Sequence, residues 1–321
     1  MTTASPEPLD PSFQRVVEGI AAAIAAGVPE WETMTAQQIR ASLALIRRRE
    51  EPLEGVSSRD LVIGIEGAEL PARLYVPDGA PAVGPGLVYF HGGGFAIGDI
   101  DTHHGLVERL AKASGVKVLS VNYRLAPEYP FPTAHEDTVA SAKWAFDHAA
   151  EIGFDPTRIA IGGDSAGANL ASSACLALRG DAGRKVKFQL LFYPNTTIND
   201  PSSAADSSRQ VYKKGYFLTL AAAHHLFSQY VSAEQAGDPR IDLLNRSDLA
   251  GLPPTFFSVG HCDILFDEGV AYAEAMKAAG VDVQLVTYPG YIHSFYGFYA
   301  IAPVVMHTFD EAGAALAAGL G

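Results

Sequence analysis

The chain has 321 residues, enough for one large α/β domain with an appendage or for two domains. Its 23 basic and 36 acidic residues leave a net charge of −13, which argues against nucleic acid and anionic membrane surfaces as partners. Two cysteines, Cys175 and Cys262, make no disulfide framework, and no apolar run reaches the length of a membrane span.

Residues 1–12 are Pro-rich and acidic, without the basic start of a secretion signal, so a soluble, cytoplasmic protein is expected. Residues 13–50 read as helical in two pieces divided near Gly27-Val28-Pro29. The second piece ends in the charge run Arg47-Arg48-Arg49-Glu50-Glu51, a solvated helix end. Leu61–Ile65 and Leu70–Val76 predict two strands joined as a hairpin by Glu66-Gly67-Ala68. Leu87–Phe90 predicts a short, wholly apolar strand, Asp101–Ser114 a helix, Val116–Val121 a strand and Ala134–Ile152 one long amphipathic helix. Arg158–Ile161 reads as a buried strand running directly into a helix over Ala166–Leu178, and Val186–Phe192 as another strand. Strands and helices alternating at this spacing imply a mostly parallel sheet covered on both faces. Asn195–Gly237 breaks the rhythm as an insertion would. It holds a polar loop (Asn199 to Arg209), an aromatic patch (Tyr212, Tyr216, Phe217) and a helix through His224, Phe227 and Tyr230. Thr255–Val259 resumes the sheet, followed by a helix over Phe266–Ala279, a strand over Val283–Tyr288 and a closing helical region over Phe295–Leu316.

Three loops carry chemistry. Gly163-Asp164-Ser165-Ala166-Gly167 places a serine between a strand and a helix, a turn that strains the backbone and lifts the side chain clear of the sheet. The amide of Ala166 then stands at a helix N-terminus, unpaired and reinforced by the helix dipole. The motif alone is a weak signal, because glycine and serine are common in turns. His91-Gly92-Gly93-Gly94-Phe95 follows a strand with no partner strand after it, and matches a template for backbone amides aimed at a developing oxyanion. On that template His91 braces the loop. A serine needs a base and the base needs an orienting acid. Of ten histidines, His103, His104, His135, His148, His224, His225 and His307 fall in predicted helices or at their ends and read as surface or helix-face residues. His293 follows the last predicted strand and Asp263 the one before it, at the sheet edge where α/β sites assemble. His261 and Asp267 are the nearest rivals; Asp267 and Glu268 read as opening the next helix, where carboxylates favour the dipole. No Cys/His cluster has metal-ligand spacing, so neither a metal nor another cofactor is expected.

These residues resemble the bacterial carboxylesterases of the hormone-sensitive-lipase family. The matching stretches are His91–Gly94, Asn122–Glu128, Gly163–Gly167, Gly215–Thr219, Asp263–Gly269 and Tyr288-Pro289-Gly290 leading to His293, in family order over about residues 60–300. The resemblance implies an α/β-hydrolase fold with a mostly parallel sheet and a helical cap. Residues 1–50 and 196–237 would form the cap, and 51–195 with 238–321 the catalytic domain. It implies Ser165, Asp263 and His293 as a triad, Gly92, Gly93 and Ala166 as oxyanion donors, and, through Asp164, the GDSAG branch. Phe95, Asp164, Tyr193, Tyr216 and Phe217 become candidates for the substrate pocket. The expected activity is hydrolysis of short-acyl esters through an acyl-enzyme. The alternatives are an amide, formamide or carbamate hydrolase with the same triad, or a non-catalytic receptor on the same fold. The expected partner is a small ester, with a homodimer formed through the last strand. The chain departs from the family at Ile264, where Pro is common, at Ser294, where Gly is common, and at Thr133, where Ala is usual.

Overall fold

Strands buried on both faces need near-continuous apolar sequence, and the run Leu87–Phe90 lies near the middle of such a sheet. The structure, a computed structural model, describes residues 7–46, 52–199 and 204–321. The charge run at 47–51, residues 1–6 of the acidic start and residues 200–203 of the polar loop lie outside the described residues.

The eight strands are β1 (Val56–Ile65), β2 (Ala68–Pro77), β3 (Gly84–Phe90), β4 (Lys117–Val121), β5 (Phe154–Asp164), β6 (Phe188–Phe192), β7 (Thr255–Cys262) and β8 (Val283–Ile292). Their order across the sheet is β1-β2-β4-β3-β5-β6-β7-β8. The hairpin β1–β2 pairs in register from Val56↔Pro77 to Ile65↔Ala68, and β2 is antiparallel to β4; every other pairing is parallel. The expected mostly parallel α/β sheet is therefore present. The edge strands β1 and β8 are largely exposed or half-buried, where the central strands β4 and β6 are buried throughout.

The helices are α1 (Pro11–Ala25), α2 (Ala36–Ile46), α3 (His104–Ser114), α4 (Thr133–Asp147), α5 (Ala149–Ile152), α6 (Ala166–Leu178), α7 (Ser208–Val211), α8 (Leu220–Tyr230), α9 (Phe266–Ala278) and α10 (Met306–Leu320). Around the sheet, α3 packs on α10 and α4 on α6. Two predicted helices are corrected. The single helix over Ala134–Ile152 is α4 and α5, because His148 leaves helical geometry (φ −109°, ψ 19°) and stacks on Trp144. The helix expected from Asp101 starts at His104, because Asp99 and Thr102 cap each other in a turn: each backbone amide donates to the other's side chain, at 2.8 and 2.6 Å.

The N-terminal helices and the insertion pack on each other, on the segments that follow β3 and β7, and on the end of β8. Phe13 of α1 packs on Tyr291 at 4.8 Å. Arg40 of α2 forms a fork with Glu128 and donates to the carbonyls of Ala96 and Ala126. Trp31 meets Phe217 of the insertion edge-on at 5.5 Å, and His225 of α8 donates to the Met34 carbonyl at 2.7 Å. Arg209 of α7 lies 2.5 Å from Glu268 of α9, both buried. Glu268 also accepts from Asn195 and from the amides of Thr196 and Thr197. Burial raises the Glu268 carboxyl above the ordinary range, and Arg209 with the Thr196 and Thr197 amides offsets part of that rise. Among the described residues, no helix is long and apolar enough to cross a membrane.

Candidate active site

Four site residues are each the first residue beyond a parallel strand: His91 after β3, Ser165 after β5, Asp263 after β7 and His293 after β8. Parallel strands share a C-terminal edge, so sequence positions spread over two hundred residues converge there. Ser165 adopts φ 53°, ψ −120°, a backbone conformation that costs a non-glycine residue roughly 1–3 kcal/mol. Its amide donates to the Phe192 carbonyl at 2.9 Å, which helps to fix the turn. A Cβ at Gly163 would come within 2.6 Å of the Gly167 backbone, so only glycine lets strand and helix approach this closely.

The Ser165 Oγ lies 2.9 Å from His293 Nε2, and His293 Nδ1 lies 2.6 Å from Asp263 Oδ2. The second oxygen of Asp263 accepts the Leu265 amide at 2.9 Å, which fixes the carboxylate. Ser165 is 7% exposed and His293 4%. The rivals stand apart: His261 stacks on Phe266 at 4.3 Å, and Asp267 accepts the Ser208 amide at 2.7 Å.

Ser294 occupies the left-handed region (φ 60°, ψ 26°) that its resemblance-based glycine would fill without strain. Left-handed geometry costs a non-glycine residue about 1–2 kcal/mol, whereas added unfolded-state entropy costs a glycine about 0.4–1 kcal/mol. Ser294→Gly is therefore expected to stabilise the fold by about 0.5–1 kcal/mol. Urea unfolding measures this, and a lower midpoint at unchanged slope contradicts it.

At the glycine loop the structure corrects one candidate. The Gly92 amide donates to Asp164 Oδ1 at 3.0 Å and is not open to a substrate. The amides of Gly93, Gly94 and Ala166 take no acceptor among the described residues. Gly93 has φ 122°, a conformation in which a side chain would be strained. His91 is fully buried, stacked on Tyr123 at 4.4 Å, and donates from Nδ1 to the Gly92 carbonyl at 2.8 Å. Burial, with His103 nearby, pushes its imidazole down to about 4, so it stays neutral. Tyr123 also donates to the His91 carbonyl at 2.8 Å. This bracing role of the Asn122–Glu128 stretch was visible in sequence only as part of a resemblance.

Asp164 does not face the pocket. It is 2% exposed beneath the glycine loop, bound to Tyr89 and Gly92. Phe95 is buried, stacked on Tyr230 at 4.5 Å. Tyr193 is buried edge-on to the His293 ring at 5.0 Å. Tyr216 meets Tyr212 at 5.0 Å, and Phe217 lies between Trp31 and Phe298. His135, expected on a helix face, is instead buried: Tyr230 donates to Nδ1 (2.7 Å) and Nε2 donates to Asn169 (3.1 Å). It ties α4, α6 and α8 together, a pairing that no local sequence pattern announces.

A cavity of about 850 Å³ opens at the other end of the sheet, lined by Leu178, Phe188, Leu252 and Ala315, and none of the candidate site residues reaches it. Among the described residues, no group of three or more His, Cys, Asp or Glu could hold a metal ion.

Comparison with known proteins bears on this geometry. The sequence model of a family described as the alpha/beta hydrolase fold matches residues 87–297. The carboxylic ester hydrolase LipN of Mycobacterium tuberculosis is 39% identical over 253 residues, 77% of this chain and 66% of LipN. The ethyl acetate hydrolase of Pseudomonas putida is 37% identical over 266 residues, 81% of each chain. Among solved structures, an ester-hydrolase from the metagenome of Lake Arreo, bound to a bipyridine phosphonate derivative, superposes with a TM-score of 0.91. It is 35% identical, with 97% of this chain and 98% of that one covered.

Proposed function

This chain belongs to the alpha/beta-hydrolase fold family and is a carboxylic ester hydrolase, and we propose that it works through Ser165 by an acyl-enzyme mechanism on short-acyl esters. The observation that carries the mechanism is the hydrogen-bonded line from Ser165 Oγ through His293 to Asp263, beside amides that take no acceptor among the described residues. Ser165 attacks the ester carbonyl while His293 Nε2 takes its proton. Asp263 holds the imidazole with Nδ1 protonated and stabilises the imidazolium that forms. The amides of Gly93, Gly94 and Ala166 receive the oxyanion; each such donor is typically worth about 10²–10³ in rate. His293 then protonates the departing alcohol, and water, activated by the same imidazole, releases the acid. The kinetic test is a burst of alcohol equal to the enzyme concentration when an activated ester is used.

The substrate reading rests on what covers the loop. Leu226 of α8 packs on Gly94, so closely that a Cβ there would lie 2.7 Å away. Phe227 and Tyr230 pack on Phe95. We read α1, α2 and the 196–237 insertion as a cap that roofs the site. Each acyl methylene gains about 0.8 kcal/mol while it stays buried. Beyond the wall the next one meets overpacking or water. The ethyl acetate hydrolase among the relatives supports a small acid. On a common leaving group, kcat/KM is expected to peak among short acyls; a rise continuing through long acyls contradicts the roofed pocket.

β8 also ends the sheet, with Val283, Leu285 and Val286 only half covered. An uncovered edge invites pairing with another edge. The expected assembly is a homodimer joined β8 to β8, and a monomeric mass by sedimentation at micromolar concentration contradicts it.

A further inference from the structure

From the buried contacts of Asp164 we infer that this carboxylate is a positioning residue: it clamps the glycine loop so that the oxyanion amides keep a fixed relation to Ser165. The inference rests on the reading of Ser165 as nucleophile.

Asp164 is the last residue of β5 and immediately precedes Ser165. Its Oδ1 accepts two donors from the neighbouring strand and its loop, Tyr89 OH at 2.7 Å and the Gly92 amide at 3.0 Å. Its Oδ2 lies 3.5 Å from His103 Nε2. A Cβ on Gly92 would collide with Oδ2 and come within 3.1 Å of the Ser165 Cβ, so the loop rests directly on the Asp164-Ser165 dipeptide. Three successive glycines have little stiffness of their own. The hydrogen bond at Gly92 fixes the loop one residue before the first open amide. The Tyr123–His91 bond braces it from the other side.

Electrostatics separates this role from direct catalysis. A carboxylate close to a developing oxyanion repels it, so its benefit comes from where it holds the loop. Burial opposes the charge, but His103 and the hydrogen bond from Tyr89 outweigh that and keep the Asp164 carboxyl below the ordinary range.

The test uses Asp164→Ala, Asp164→Ser and Asp164→Asn in the full chain, with kcat, KM and inhibition by a short trifluoromethyl ketone. That inhibitor becomes a tetrahedral alkoxide in the oxyanion site and reports transition-state binding. Removing the carboxylate in Ala, or replacing it by the shorter hydroxyl in Ser, is expected to lower kcat by about 10²–10³, with KM within about threefold. The inhibition constant should rise by the same factor as kcat/KM falls. Asp164→Asn keeps an oxygen for Gly92 and Tyr89 and should stay within about tenfold of wild type. If the Ala protein does not fold, the Ser and Asn pair carries the same comparison. A folded Ala or Ser variant with wild-type kcat and inhibition overturns the clamp, and so does an Asn variant as impaired as Ser. Phosphonate labelling of wild-type Ser165 is the control: no adduct defeats the nucleophile reading, whereas an adduct together with an unaffected Asp164→Ala defeats the clamp alone.

Discussion

Replacing Ser165 with alanine is expected to lower kcat by roughly 10⁵–10⁶ while KM changes little. The size follows from the geometry. Every step assigned to His293 and Asp263 makes or breaks an acyl bond to the Ser165 hydroxyl, whose Oγ lies 2.9 Å from Nε2. Without that hydroxyl they have no partner, and the residual rate reflects the oxyanion amides and binding alone. The strained turn is also relevant: its unfavourable backbone conformation persists because the surrounding strand and helix over-determine it. Alanine keeps the small volume, so the fold and the cap contacts should survive. Steady-state hydrolysis of a short ester, normalised to folded protein, measures the effect. A Ser165→Ala enzyme with near-full activity would show that another group performs the attack.

The second large effect belongs to the base. His293→Ala is expected to lower kcat/KM by about 10⁴–10⁶, and His261→Ala by less than about threefold. The contrast rests on position. His293 bridges Ser165 and Asp263 at 2.9 and 2.6 Å, whereas His261 is stacked against Phe266. Removing the His261 ring loses one stacking contact on α9. The reverse ranking contradicts the assignment. His91 and His135, both pushed down to about 4 chiefly by burial, are neutral at neutral pH and contribute no step of their own.

Strand and helix positions were legible because burial writes a pattern: a wholly apolar run in β3, mostly apolar runs in β4 and β6, and helical spacing at α6 and α9. That Ser165, Asp263 and His293 meet was legible because each lies just past a strand, and a parallel sheet collects such positions on one edge. What stayed hidden depends on side chains that meet across long sequence distances. Asp164 read as a pocket residue because its neighbour Ser165 faces the site, yet it points under the loop to Tyr89 and Gly92. That same bond removes Gly92 from the oxyanion donors, which no loop sequence could reveal. Glu268 read as a dipole-favoured residue at the start of α9, and it is there, but buried against Arg209 from the insertion. Arg209 in turn read as part of a polar loop.

The account turns on Ser165 as the atom that carries the acyl group, and mass spectrometry of the protein after inactivation by a serine-directed phosphonate tests this most directly. The predicted result is one adduct per chain, located on Ser165, rising in step with loss of turnover and absent from Ser165→Ala. Complete inactivation with the adduct on another residue, or with Ser165 unmodified, would contradict it.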